Sequence, residues 1–280
     1  MKISLILATI GRTTEVQLLL ESLIGSKYKN FELIVVDQNE EPIIDLLIKK
    51  YSDLIDIKYI RPNFKGLSKA RNLGLKYVTG EIICFPDDDC KFYPDTLLVV
   101  KDNFLKNKET DAFIGRIFDF DLNLNIIKRW PEKCVRVNLY NFYFLSSSIT
   151  LFIRNSVLMK INGFDQQLGA GEQLGSCEDP DFIYRMLKSK CEISYDPLIN
   201  VWHPMPINSN IPNTKVYLYA SGFGGFVRKD VSFIKVFLLF GVCIKKLTQL
   251  ILYRNDFKAG YFSSFFRGLL FGFKNYVRTK

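Results

Sequence analysis

The first hundred residues switch repeatedly between strand-like and helix-like patterning, and that alternation leaves few architectures open. KISLILAT is a β-branched apolar run suited to a buried strand, and TTEVQLLLESLIGS follows with apolar residues at helical spacing. FELIVVD (31–37) is a second strand, PIIDLLIKKYS a helix opening at Pro42, and IDIKYIRP a third strand. GLSKARNLGLKYVTG (66–80) is a helix closing at Gly80, and EIICFP a fourth strand. Neighbouring strands joined through helices pair in parallel, so a sheet of βαβ units is expected. Such sheets bind ligands beyond the carboxyl ends of their strands. Three of those ends carry polar residues: Thr9 with Arg12, Asp37, and the run Asp87, Asp88, Asp89. They should meet on one rim.

The middle of the chain is less regular. YPDTLLVVKDNFLKN has helical spacing, AFIGRIFDF is strand-like, and SSSITLFIRNSVLMKING gives a strand and then a short helix. A glycine-rich stretch, GFDQQLGAGEQLGSC, then runs into a helix. A length of 280 residues, 48% apolar and 24% charged, allows one large α/β domain or two smaller ones and excludes a disordered chain. Six cysteines without a CxxC pair or zinc-like clustering fit a reducing, cytoplasmic compartment. The apolar run Ile3 to Ile10 behind Lys2 is short for a secretory signal and has no small-residue cleavage site after it, so it fits a first strand better.

Three consecutive aspartates at a strand end repel one another unless something answers their charge. Strand alternation would point Asp87 and Asp89 to one side, where a hard dication could take their oxygens. A solvated acidic turn is the plainer alternative. Glu178, Asp179 and Asp181 precede an apolar helix, where they either cap it or, behind a glycine-rich mouth, provide a general base for a hydroxyl nucleophile. His203, the single histidine, is either a satisfied structural residue or a metal ligand beside Asp89.

Taken in order, ATIGR, FELIVVDQN, GLSKARNLGL, GEIICFPDDDC, NGFDQQLGAGE, EDPDFIYRML and YDPLINVWHP resemble the landmarks of family-2 glycosyltransferases. The resemblance covers most of residues 1–210 and extends, more softly, to bacterial members that build surface polysaccharides such as O-antigen and capsule. It implies an α/β fold of the GT-A (Rossmann-like) nucleotide-diphospho-sugar transferase type, an inverting mechanism, and Mg²⁺ or Mn²⁺ as cofactor. The donor would be a UDP-, GDP- or dTDP-sugar and the acceptor a lipid-linked saccharide. Thr9, Arg12 and Asp37 would border the base and ribose, and Arg71 the nucleotide or sugar. Asp87 and Asp89 match the outer positions of the DxD motif, with Asp89 the direct metal ligand and Asp88 on ribose or sugar. Asp179 matches the base of the ED motif beside Glu178, and His203 falls where related enzymes often place a histidine near the metal. Gly169, Gly171 and Glu172 would form the acceptor loop.

The C-terminal part differs in character. Residues 214–280 hold 12 of the 38 basic residues and 2 of the 29 acidic ones, a net +10 against −1 over residues 1–213, together with 16 of the 40 aromatics. Its longest uncharged run inside VSFIKVFLLFGVCIKKLTQLIL is nine residues (236–244), too short to span a bilayer. Lys235 and Lys246, eleven apart, share a helix azimuth, and FSSFFRGLLFGFKNYVRTK also interleaves aromatic and basic residues. We therefore expect a catalytic domain over 1–213 and an amphipathic helical tail over 214–280. The tail would hold the protein peripherally on the cytoplasmic face of a bacterial inner membrane. The alternatives are packing on the catalytic domain or a homodimer contact. Regular apolar content argues against nucleic acid. Two other functions compete: a sugar nucleotidyltransferase, which would want a richer phosphate loop than ATIGRTTEVQ, and a non-catalytic membrane scaffold, against which the intact acidic motifs count.

Overall fold

The computed structural model describes residues 1–205 and 211–278, which fall into two compact units. One comprises Met1–Lys65, Lys69–Gly163 and the chain from Phe182 to the end of the sheet. The other comprises Gly66–Ser68, Phe164–Asp181 and the C-terminal helices.

The first unit is built on one mixed sheet. Its N-terminal half is the parallel βαβ arrangement the patterning demands: β1 (Ile3–Thr9), α1 (Thr14–Ile24), β2 (Phe31–Asp37), α2 (Asp45–Tyr51), β3 (Ile57–Ile60), α3 (Leu67–Leu75) and β4 (Ile82–Cys84). β1 pairs in parallel with β2 and β4, and β2 with β3. Every residue of β1 and β2 is buried, as in a sheet covered on both faces. The register sets Thr9 directly beside Asp37, so two of the polar strand ends are neighbours.

The second half departs from parallel pairing. After β5 (Lys91–Phe92) and α4 (Thr96–Lys106), the chain forms β6 (Ala112–Asp119), β7 (Leu124–Asn125), β8 (Val135–Arg136), α5 (Phe142–Leu145), β9 (Leu151–Arg154), α6 (Glu178–Lys188) and β10 (Ile193–Trp202). The strand order is β3-β2-β1-β4-β9-β6-β10-β5, with β9 antiparallel to both β4 and β6. β10 runs parallel to β6 with a register shift between Tyr195 and Asn200. Pro197, which has no N–H to give a ladder, lies in that interval.

Several boundaries differ from the sequence expectation. α2 begins at Asp45 rather than Pro42, and α3 ends at Leu75 rather than Gly80. β4 stops at Cys84, so Asp87–Asp89 lie beyond the strand in a turn closed by Cys90 N–H to Asp87 O (3.2 Å). The turn, not strand alternation, sets where these carboxylates point. Glu178, Asp179 and Asp181 form the first turn of α6 rather than preceding it.

The second unit contains α7 (Asn213–Lys229), α8 (Phe233–Leu252) and α9 (Tyr261–Asn275). α7 and α9 approach until backbones touch: a Cβ at Gly224, Gly268 or Gly272 would meet a carbonyl oxygen of the facing helix at 2.2, 2.2 or 1.8 Å. Residues 214–278 are thus packed with the 164–181 loop in one body. Gln167 Nε2 donates to Val277 O (2.8 Å), Val277 N–H to Gln167 Oε1 (3.0 Å), and Ser221 Oγ to Gln173 O (2.9 Å).

A buried carboxylate ties the parallel half together. Glu32 on β2 receives Ser4 Oγ, the Thr79 N–H and hydroxyl (2.7 Å each) and an ion pair from Lys2 (2.8 Å). Burial opposes its ionisation, but these donors outweigh it and hold the pKa down at about 2, against an ordinary 4.5. The stabilisation is therefore present above pH 4.5 and fades as pH falls towards 2. Glu32→Gln should lose about 2 kcal/mol at neutral pH. In urea titrations the gap from the parent should narrow as pH drops below the ordinary carboxylate range. A gap that does not change with pH would contradict this account of Glu32.

Candidate active site

The ends of β1 and β4 meet through the aspartate turn. Thr9, the last residue of β1, is buried and donates its hydroxyl to Asp88 Oδ2 (2.7 Å). Gly11 follows in a left-handed conformation, turning the chain so that Arg12 reaches back to Asp88 Oδ1 (2.5 Å) and Asp89 Oδ2 (2.7 Å). Arg71 rises from α3, 1% exposed, and divides its Nη2 between Asp87 Oδ1 (3.0 Å) and Ser148 Oγ (2.8 Å). Two guanidinium groups and a hydroxyl thus answer the repulsion within the triplet. The arginines expected near nucleotide and sugar are here paired with the aspartates.

Environment splits the triplet. Burial pushes the Asp88 carboxyl above the usual range despite Thr9 and Arg12. Burial acts the same way on Asp89, but His203 and Arg12 outweigh it and lower its pKa. His203 lies past the end of β10 with Nε2 3.3 Å from Asp89 Oδ1, and Nδ1–H donates to Pro204 O (2.7 Å). Burial opposes protonation of the ring, yet the Asp89 carboxylate raises its pKa overall. The bond to Pro204 keeps a proton on Nδ1, so Nε2 is the ring atom that faces Asp89 and donates to its carboxylate when the ring is protonated. Asp87, Asp89 and His203 each offer one ligand atom, all within 4.8 Å of one another. Two carboxylate oxygens and one imidazole nitrogen are a donor set that Mg²⁺ or Mn²⁺ accepts.

Asp37 closes β2 with no exposure. It accepts from the Asn39 N–H (2.9 Å) and Nδ2 (2.6 Å), and the Tyr59 hydroxyl sits between it (2.6 Å) and Asp45 (2.5 Å). Burial and both carboxylates drive the Tyr59 pKa far above its ordinary value. Tyr59 and Ser148 lie outside the sequence landmarks, and Asn39 lies inside FELIVVDQN without a role of its own there. The β2–β3 register, which places Tyr59 opposite Val35, brings the first to Asp37.

The remaining candidates belong to the second unit. Gly169 and Gly171 both have left-handed φ (+112° and +87°), and the loop they shape is pinned by Leu67 N–H to Ala170 O (3.0 Å) and Ser68 Oγ to Leu168 O (2.6 Å). A Cβ at Gly169 would lie 2.9 Å from Ser68 Oγ and 3.3 Å from the Glu178 carboxyl carbon, so glycine is required there. Glu172 N–H donates to Gly169 O (3.2 Å). Glu178 and Asp179 are half-buried in the first turn of α6. Asp181, grouped with them in the sequence, has a different task. It is fully buried and pairs with Lys229 Nζ (2.9 Å), which also reaches Asp165 (2.6 Å), itself held by the Tyr276 hydroxyl (2.6 Å).

The family model described as Glycosyl transferase family 2 matches residues 4–162, more than half of the chain. The chain belongs to glycosyltransferase family 2. An uncharacterized glycosyltransferase of Haemophilus influenzae is 26% identical over 217 residues, covering 70% of this chain and 64% of that protein. Staphylococcus aureus poly(ribitol-phosphate) beta-N-acetylglucosaminyltransferase TarP is 29% identical over 119 residues, 41% of this chain and 36% of that one. Among solved structures, S. aureus TarS in complex with UDP-GlcNAc aligns at TM-score 0.66 and 20% identity over 96% of this chain and 80% of its own. The mannosyltransferase PcManGT of Pyrobaculum calidifontis, solved with GDP-Man and Mn²⁺, aligns at TM-score 0.63 and 13% identity over 96% and 86%. The fold is that of the GT-A glycosyltransferases. The chain spans only part of the curated relatives, including 64% of the Haemophilus protein and 18% of a Rickettsia felis glycosyltransferase.

The Lys229 arrangement gives a direct test of which carboxylates are structural. Lys229→Met leaves Asp165 and Asp181 buried without their shared cation and should cost about 3 kcal/mol. Thermal unfolding of the variant at neutral pH should show a clear drop in midpoint, and an unchanged midpoint would contradict the structural role of Asp181.

Proposed function

We propose that the protein is an inverting glycosyltransferase. It would move a sugar from a UDP-, GDP- or dTDP-linked donor to a hydroxyl of a lipid-linked saccharide in bacterial surface-polysaccharide synthesis. The observation that carries this reading is the convergence of Asp87, Asp89 and His203 in a family-2 chain, backed by Arg12 beyond β1 and Arg71 on α3. TarS with UDP-GlcNAc and PcManGT with GDP-Man support the donor class, and the name of TarP supports a surface polymer as product.

In this reading Thr9, Arg12 and Asp37 border the base and ribose, and Asp37 is held in place by Asn39 and Tyr59. Arg71 carries fixed positive charge beside Asp87, where a departing diphosphate gains negative charge. Mg²⁺ or Mn²⁺ held by Asp87, Asp89 and His203 would supply Lewis-acid neutralisation of that leaving group. Asp179 takes the proton of the acceptor hydroxyl as its oxygen bonds to the anomeric carbon. The bond to the diphosphate breaks on the opposite face, and its electron pair leaves with the nucleoside diphosphate. One displacement inverts the configuration. Glu178 stands beside the base, and Gly169, Gly171 and Glu172 border the acceptor.

Asp179→Asn keeps the shape of the side chain and removes its basicity. Transfer should fall by about a hundredfold or more while donor affinity changes little, as read from a transfer assay beside a nucleotide-sugar titration. A variant that transfers sugar at the parental rate would remove Asp179 from the role of base.

A further inference from the structure

α8 carries an apolar stripe that its own unit leaves uncovered. Phe233, Phe237, Phe240, Ile244, Leu247 and Ile251 are 84, 69, 62, 62, 46 and 76% exposed. Their alternating spacing of four and three residues keeps them within roughly 80° of azimuth along the whole helix. The opposite face turns inward. Lys235 is fully buried, with Nζ donating to Phe226 O (2.8 Å) over the Phe226 ring, and burial pulls its pKa down to about 8. Leu238 is buried beside it in sequence, and Lys246 donates to the Tyr261 hydroxyl (2.7 Å). The two lysines that the sequence joins as one basic face do share an azimuth, but that face is the seat of α8 in its unit.

Positive charge predominates around the stripe, against the exposed Asp230 ahead of α8 and the exposed Asp256 beyond it. α8 contains no acidic residue, Lys245 is exposed on its flank, and Arg254 and Lys258 are exposed just beyond its C-terminus. Residues 214–280 as a whole carry 12 basic and 2 acidic residues. A second copy of this chain would bring the same excess of positive charge to the seam, with only Asp230 and Asp256 of residues 214–280 to answer twelve basic residues. An anionic lipid surface brings the complementary sign and an apolar layer in one ligand. Among the described residues no helix is long and apolar enough to cross a membrane, so such a helix would lie flat.

We propose that this stripe is a docking face for anionic lipid bilayers. α8 lies along the boundary of headgroups and acyl chains, with its phenylalanines inserted and Lys245, Arg254 and Lys258 among the headgroups. This inference stands apart from sugar transfer and survives or fails independently of it.

The test is flotation of the full chain with vesicles of phosphatidylcholine alone and of phosphatidylcholine mixed with phosphatidylglycerol. The parent should float with the anionic vesicles and much less with the neutral ones. Phe237→Glu combined with Phe240→Glu, both at exposed positions, should lower partitioning by about tenfold or more with an unchanged thermal midpoint. Lys245→Glu combined with Arg254→Glu leaves the stripe intact and should remove the preference for phosphatidylglycerol. Three results would overturn the proposal: a parent that ignores anionic vesicles, a stripe variant that floats as well as the parent, or charge reversal without effect. Light scattering that shows a parental dimer, made monomeric by the stripe substitutions and blind to vesicles, would also overturn it and make a second copy the occupant.

Discussion

Three adjacent carboxylates at the end of a buried strand must be held against their own repulsion, and much of the first unit serves that end. β1 delivers Thr9 and, one turn later, Arg12; α3 delivers a buried Arg71; the end of β10 delivers His203. Each arrives from a different part of the chain, so the cluster forms only when the mixed sheet is complete. The same arrangement separates the aspartates chemically. Asp88 is pushed towards its neutral form by burial, while Asp89 is kept ionised by His203 and Arg12 despite burial. The ionised carboxylate is thus the one that shares the 4.8 Å cluster with His203 and Asp87.

The second unit solves a different problem. Its loop of 164–181 carries left-handed glycines and a half-buried pair of acids, and a loop of that kind needs support to keep one shape. Support comes from α7 and α9, whose glycines allow backbone contact, and from Lys229, which draws Asp165 and Asp181 together. Asp181 is therefore spent on structure. Glu178 and Asp179 remain half-buried in the first turn of α6.

Local patterning made the parallel half legible: β1 to β4 and the helices between them follow from apolar periodicity, and so do Thr9, Asp37 and the aspartate run as strand-end residues. The antiparallel insertion of β9 between β4 and β6 was not legible, because pairing between distant segments leaves no local periodicity. The aspartate turn departs from the strand expectation for a related reason. Alternation predicts direction only while the strand lasts, and β4 ends at Cys84. In the tail, helix and amphipathicity could be read, but not which face would be covered. Lys235 and Lys246 look like a solvated basic edge until the contacts of Phe226 and Tyr261 turn them inward. Asp181 was likewise inseparable from its neighbours until Lys229, 48 positions away, was in place.

In the proposed function, Asp87, Asp89 and His203 would make this family-2 chain a metal-dependent user of a nucleotide-sugar. Calorimetric titration of the intact protein with UDP-, GDP- and dTDP-sugars, in Mn²⁺ and again with chelator, addresses it most directly. One donor should bind in the presence of Mn²⁺, lose affinity by about tenfold or more with chelator, and show no metal effect in Asp89→Ala. Binding of that donor with equal affinity in Mn²⁺ and in chelator, or to Asp89→Ala as to the parent in Mn²⁺, would contradict it.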